Sequence, residues 1–191
     1  MLIDLPWPHA LILAELAFFV VFVVSHNIRQ KRRGETRLGE FPVNPLLFGA
    51  GKLSMGISWG FLFVQAAGVQ LMTFPASEKL AVVAAVLVLP GIALVIAAFL
   101  RLGSDSRFGL SQESGGLQTG GIFRISRNPM YLGFYLVTLA SMVGVPYPIN
   151  VGCGLVGIWV HHRIVLAEER SLLKAYGASY QAYRRRVRRY L

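Results

Sequence analysis

The sequence predicts an all-α integral membrane protein of about five transmembrane helices that ends in an amphipathic helical segment. Three observations predict it. Hydrophobic residues make up 54% of the 191 and charged residues only 15%, whereas a typical soluble domain carries about 25% charged residues. Five apolar stretches recur along the chain. The basic residues fall in alternate segments between those stretches, as topology rather than a soluble binding surface would dictate.

The stretches run from about Trp7 to Ser25, Leu53 to Phe74, Leu80 to Leu100, Met130 to Val145 and Ile149 to Leu166. A helix needs about 20 apolar residues to cross the hydrocarbon. The first three meet that length. The last two are shorter and are joined by Pro146-Tyr147-Pro148, so a tight helical hairpin is expected, tilted or partly enclosed by protein. Residues Met1 to Trp7 contain Asp4 but no Lys or Arg, and no small-residue cleavage site follows. The first stretch therefore reads as a retained anchor. The length favours one membrane domain over residues 1–191, with three N-terminal transmembrane helices in 1–100 and a loop, a hairpin and C-terminal helices in 101–191.

The formal net charge is +10. Arg29, Lys31, Arg32, Arg33, Arg37 and Lys52 fall around the first connection; Arg101, Arg107, Arg124 and Arg127 around the third; Arg163, Arg170, Lys174, Arg184, Arg185, Arg186, Arg188 and Arg189 after the fifth stretch begins to leave the bilayer. Of the 19 basic residues only Lys79 falls on the opposite side. Five crossings with an external N-terminus put the basic segments and the C-terminus in the cytoplasm, as in a bacterial-type inner (plasma) membrane. The lipid bilayer, with its anionic headgroups, is the natural partner of this charge. Nucleic acid is excluded as a partner because no soluble basic module remains. The single cysteine, Cys153, excludes an internal disulfide and a cysteine metal cluster and reads as a small packing residue.

Gly152, Gly154 and Gly157 match G-x-G-x-x-G, but a dinucleotide site needs that run between a strand and a helix. Inside an apolar helix the glycines read as helix-approach positions, as do Gly56 and Gly60. Pro90-Gly91 is expected to kink the third helix. Glu15 lies within the first apolar stretch. An intramembrane carboxylate is costly, and both an interhelical hydrogen bond and a substrate contact answer to it.

Polar residues gather in two places. The loop from Gly103 to Asn128 ends in Gly120-Gly121-Ile122-Phe123-Arg124-Ile125-Ser126-Arg127-Asn128-Pro129-Met130-Tyr131. Glycines let backbone approach a ligand, and Pro129 suits the first turn of a helix whose N–H groups can receive an anion. A basic loop that simply marks the membrane boundary is the competing reading. At the exit of the fifth stretch stand His161-His162-Arg163 and Glu168-Glu169. Adjacent histidines point about 100° apart on a helix, so they read as interfacial residues and no metal site is expected. Beyond them Leu172, Leu173, Tyr176, Tyr180, Tyr183 and Val187 recur at steps of three and four, the mark of one helix face, with Gly177 expected to end one helix and start the next. The tyrosines of this face read as packing and interfacial anchors.

Together the two clusters resemble the isoprenylcysteine carboxyl methyltransferase family. Gly121-x-x-Arg124-x-x-Arg127-Asn128-Pro129-Met130-Tyr131 resembles its G-x-x-x-x-x-R-H-P-x-Y signature, and Glu168-Glu169 with Leu172, Tyr176, Gly177, Tyr180, Tyr183 and Val187 resembles its C-terminal signature. The likeness covers about residues 99 to 191. The superfamily also includes phospholipid N-methyltransferases, thiol methyltransferase-like proteins and sterol reductases.

The resemblance implies an S-adenosyl-L-methionine-dependent membrane methyltransferase with a cytosolic-side cofactor pocket built from residues 101–191. Gly115, Gly116, Leu117, Gln118 and Phe123 would line the adenosine. Asn128, Pro129, Met130 and Tyr131 would close around the cofactor, and Glu168 would hold its ammonium. Arg127 and Tyr131 suit its carboxylate. Asn128 stands where the family has histidine, which weakens the prenylcysteine assignment. Arg163 is one residue away from the position of the family's substrate-binding arginine, which Ile164 occupies. Arg163 is the expected acceptor clamp. Glu169, His161 or His162 would serve as base if the acceptor is an amine or a thiol; an ionised carboxylate acceptor needs none. The acceptor is expected to be lipid-like or apolar, with carboxylate O-methylation of an isoprenylcysteine-like substrate favoured and a phospholipid amine or thiol as variants. The alternatives are an NADPH-dependent reductase of the sterol-reductase kind, for whose extra helices the chain lacks room, and a non-catalytic membrane protein that keeps the fold.

Overall fold

The computed structural model describes residues 6–32, 43–70, 77–102 and 116–191, and every regular element among them is helical. In chain order these are α1 (Trp7–Arg32), α2 (Pro45–Ala66), α3 (Glu78–Leu102), a 3-10 turn (Gly121–Arg124), α4 (Pro129–Gly144) and α5 (Pro148–Arg186). The all-α membrane fold expected from the sequence is what forms. Helices α1, α2, α3 and α5 are long and apolar enough to cross a bilayer, while α4 has 16 residues and a length of about 24 Å.

Two boundaries depart from the apolar stretches. Helix α2 starts eight residues before Leu53, at Pro45, because the Asn44 side chain accepts hydrogen bonds from the N–H groups of Leu46 (2.9 Å) and Leu47 (3.4 Å). It ends at Ala66, followed by Gly68 at φ 85°. Hydropathy marks the part of a helix that suits lipid, whereas cap chemistry marks where it starts. Helix α5 continues 20 residues beyond Leu166. As the sequence predicts, it breaks at Gly177, whose φ of 48° and ψ of −121° lie outside helical space and are tolerated there because glycine has no Cβ.

The expected hairpin forms, but its two arms pack mainly against earlier helices: α4 against α3, and α5 against α2. Small residues explain the pairing. Gly133 of α4 lies so close to the Gly91 carbonyl of α3 that a side chain would not fit, and Gly157 and Gly51 serve the α5–α2 contact against Met55 and Val160. Gly154 packs on Met142 and Thr138 of α4. Two of the three glycines in the G-x-G-x-x-G run therefore act in helix packing, as expected. Gly56 and Gly60 do not, since nothing described lies within 4 Å of where their side chains would be.

A polar knot fixes α2, α4 and α5 at the hairpin end. Asn150 is fully buried. Its amide nitrogen donates to the carbonyls of Ser141 (2.9 Å) and Val145 (2.8 Å), and its oxygen accepts from Ser58 Oγ (2.7 Å). Ser141 Oγ donates to the Ser58 carbonyl, and Trp59 Nε1 to Thr138 Oγ1 at 3.0 Å. Glu15 is also buried, yet neither carboxylate oxygen has a hydrogen-bond partner among the described residues. The interhelical bond that its position invited is not made there.

Candidate functional site

The two polar clusters of the sequence meet at the end of the bundle where α4 begins and α5 leaves its apolar run. The Tyr131 hydroxyl of α4 donates to Glu168 Oε1 of α5 at 2.7 Å. Tyr131 is buried and Glu168 half-buried. Glu168 lies two residues beyond the apolar stretch that ends at Leu166. Burial pushes its carboxyl up to about 7, against the opposing pull of the Tyr131 hydrogen bond and the Lys52 charge. Lys52 comes from α2 and also lies over the Phe48 ring, 4.6 Å from its centre.

Glu169 points into a different environment. It is 5% exposed, and both its oxygens are occupied. Oε1 accepts from Arg127 Nη2 (3.0 Å) and Asn128 Nδ2 (3.1 Å), and Oε2 accepts from Arg189 Nε (3.1 Å) and Nη2 (2.9 Å). Burial alone would lift its pKa, but Arg189, Arg127 and Asn128 outweigh burial and hold it below the usual carboxylate range. Asn128 spends its second amide hydrogen on the Arg189 carbonyl (3.2 Å), and its side chain makes no cap hydrogen bond on α4. The rest of the tail joins this lock: Arg127 N–H donates to the Arg188 carbonyl (3.0 Å), Ser126 Oγ to the Arg189 carbonyl (3.1 Å), and Arg127 Nη1 to the Arg184 carbonyl (3.3 Å).

Beside the lock is an apolar cluster. Phe123, Ala98, Tyr180 and Tyr183 form its buried core, with Leu117, Ile122, Met130, Leu172 and Val187 packed on it. Tyr183 donates to the Phe123 carbonyl at 2.7 Å. The Tyr180 hydroxyl is buried with no partner among the described residues. Arg127 Nε shares that condition. Gly121 takes φ 60°, and the Arg101 guanidinium from the end of α3 lies over Gly120. Met130 packs against this cluster, the main helical core and the cluster around Tyr131 alike. It sits at their junction.

The model of the phospholipid methyltransferase family matches residues 80–179, just over half of the 191-residue chain. The chain belongs to the phospholipid methyltransferase family. That family shares a membrane methyltransferase superfamily with the isoprenylcysteine carboxyl methyltransferases, whose motifs the sequence resembles. No curated protein and no solved structure matches the chain. The family match begins in α3 and runs just past Gly177, so it contains the 3-10 turn, α4, and the Glu168-Glu169 pair.

Within this family member the residues singled out in the sequence divide into distinct places. Leu117, Phe123 and Met130 belong to the apolar cluster, Gln118 is half-buried near it in sequence, and Gly116 is exposed with nothing described within 4 Å of a side chain there. Gly115 lies outside the described residues. Pro129 opens α4 and is buried. Arg127 and Asn128 are held by Glu169, while Tyr131 is held by Glu168. Arg163 is exposed. His161 Nδ1 pairs with the Gly157 carbonyl at 2.8 Å and His162 Nδ1 with the Tyr190 hydroxyl at 2.8 Å. Three residues escaped the sequence reading. Lys52 reaches the site from α2, and Arg189 and Tyr190 from the tail. A lone lysine at the edge of an apolar stretch was a signal for the first. Nothing local marked the tail residues, whose partners lie 20 to 63 positions away.

Proposed function

We propose that the protein is an S-adenosyl-L-methionine-dependent methyltransferase whose acceptor is the headgroup amine of a phospholipid. The observation that carries this reading is the juxtaposition of Glu168 and Tyr131 beside the Phe123–Tyr180 apolar cluster, within the matched family region. The side chains present suit the cofactor. Phe123, Leu117 and Met130 offer apolar walls for the adenosine, and the unpartnered Tyr180 hydroxyl offers a hydrogen bond to its polar edge. An acidic group suits the ammonium, and Glu168 supplies one. Arg127 keeps an unused N–H, at Nε, for a carboxylate. The bound cofactor supplies an electrophilic methyl group.

The protein's own contribution is alignment and exclusion of water. Glu169 is saturated with donors, so we assign it to positioning Arg127 and Asn128 rather than to proton transfer. A protonated amine must lose a proton before it attacks. With Glu168 committed to the cofactor's ammonium, His162, whose Nδ1 meets the Tyr190 hydroxyl at 2.8 Å, is the imidazole left to take that proton. Lys52, whose charge acts on Glu168, supplies positive charge suited to the lipid phosphate. The alternating basic segments support a cytoplasmic side for this end of the bundle.

The test is methyl transfer from labelled cofactor to purified protein's candidate acceptors in mixed micelles. Label in phosphatidylethanolamine is expected. Label only in a prenylcysteine carboxylate would move the acceptor to the other branch of the superfamily, and label in neither would contradict the reading.

A further inference from the structure

The C-terminal tail does more than close the lock around Glu169. Once Arg188 and Arg189 are bound to the 126–128 segment, the next residue, Tyr190, has little freedom. Its hydroxyl lies 2.8 Å from His162 Nδ1 on α5 and 3.3 Å from the Tyr135 hydroxyl on α4. Its ring meets the Tyr135 ring edge-on, with centres 5.4 Å apart.

Position along the helices gives this contact its meaning. Tyr135 is one turn farther along α4 than Tyr131, and His162 is six residues before Glu168 on α5. At 1.5 Å per residue, both lie about 6 to 9 Å deeper toward the apolar part of the bundle than the Tyr131–Glu168 pair. Tyr190 therefore bridges α4 and α5 on the bilayer side of that pair. Val43, just before α2, and Leu47 and Phe48 in its first turn pack in the same cluster as Tyr190 and Tyr131. The surroundings are apolar, with three polar tips converging. That combination fits the boundary between an acyl chain and a headgroup.

We infer that Tyr190 is a specificity-determining residue on the acceptor side, carried there by the tail to position a phospholipid headgroup between α4 and α5. The inference rests on the methyltransferase reading above. It assigns the tail two separable tasks: Arg189 secures the loop that serves the cofactor, and Tyr190 shapes the approach of the lipid.

The test uses the full chain with Tyr190→Leu and Tyr190→Phe. Acceptor kinetics are measured with dioleoyl phosphatidylethanolamine in mixed micelles, and cofactor affinity by titration with S-adenosylhomocysteine. Loss of acceptor positioning raises KM while leaving cofactor binding alone. Tyr190→Leu is expected to raise the lipid KM by about tenfold and Tyr190→Phe by about threefold, with S-adenosylhomocysteine affinity within about twofold of the parent. An unchanged KM in both variants, or cofactor affinity that weakens in step with KM, overturns the inference. If Tyr190→Leu does not fold, Tyr190→Phe decides by the same criteria. Parent protein that binds no S-adenosylhomocysteine, or binds it and methylates no phosphatidylethanolamine, instead overturns the reading beneath.

Discussion

Tyr131 and Glu168, which stand 37 positions apart in the sequence, share a hydrogen bond of 2.7 Å where α4 begins and α5 leaves its apolar run. One hydroxyl thus ties together the two motifs that the sequence keeps separate. Replacing it should matter for binding more than for folding. A hydrogen bond to a charged group is worth about 1.5–3 kcal/mol, so Tyr131→Phe is expected to weaken S-adenosylhomocysteine binding by about tenfold or more. Titration calorimetry in detergent measures it, and an unchanged affinity would separate Tyr131 from the cofactor.

The same pair sets a pH dependence. The Glu168 carboxyl, raised from 4.5 to about 7 by burial, prefers its neutral form in the folded protein. Its ionisation therefore opposes folding as pH rises from about 4.5 through 7. A bound ammonium removes that cost. S-adenosylhomocysteine affinity should accordingly fall about tenfold between pH 8 and pH 6, and the thermal shift that the ligand produces should shrink in parallel. A flat profile across that window would contradict the assignment.

Glu169 should behave as a structural group. Removing one member of a buried ion pair costs about 3–5 kcal/mol because its partners stay buried and charged. Glu169→Ala strands the Arg127 guanidinium, whose side chain is 8% exposed, whereas Arg189→Ala loses a cation whose side chain is 33% exposed. Thermal unfolding should drop much further for Glu169→Ala than for Arg189→Ala. Equal drops would mean that the tail side of the lock carries as much as the loop side.

The unpartnered Tyr180 hydroxyl makes opposite predictions for the free and bound protein. An unsatisfied buried hydroxyl costs about 1–3 kcal/mol, so Tyr180→Phe should raise the melting temperature of the ligand-free protein. It should also weaken S-adenosylhomocysteine binding severalfold, since the ligand loses a hydrogen bond. Higher stability with unchanged binding would leave Tyr180 as a packing residue.

At the opposite end of the bundle, Asn150→Ala should destabilise by about 2–4 kcal/mol. It leaves Ser58 Oγ and the buried carbonyls of Ser141 and Val145 without their partner, and each unsatisfied group costs about 1–3 kcal/mol. S-adenosylhomocysteine affinity at the remaining folded protein should be unchanged. A large loss there would couple the two ends.

Much of this was legible in the chain. Apolar stretches located every helix, because in a bilayer hydropathy is the dominant local signal. They misplaced the start of α2, because a cap of the Asn44 kind is polar and lies outside the lipid-like run. The motifs brought Tyr131 and Glu168 to attention, but sequence cannot say which way two adjacent carboxylates point. Glu168 and Glu169 are about 100° apart on the helix, enough to send one to Tyr131 and the other to Arg127 and Arg189. The tail was invisible for another reason: Arg189 and Tyr190 act through contacts that exist only after the chain has folded back on itself, and no periodicity announces such a return.

The central claim is that the Tyr131 segment and Glu168 form one cofactor site, and calorimetric titration of S-adenosylhomocysteine into the purified parent and Glu168→Ala proteins tests it most directly. The account predicts saturable binding to the parent and a loss of about tenfold or more in folded Glu168→Ala. Equal affinity in the two, or no binding to folded parent protein, would contradict it.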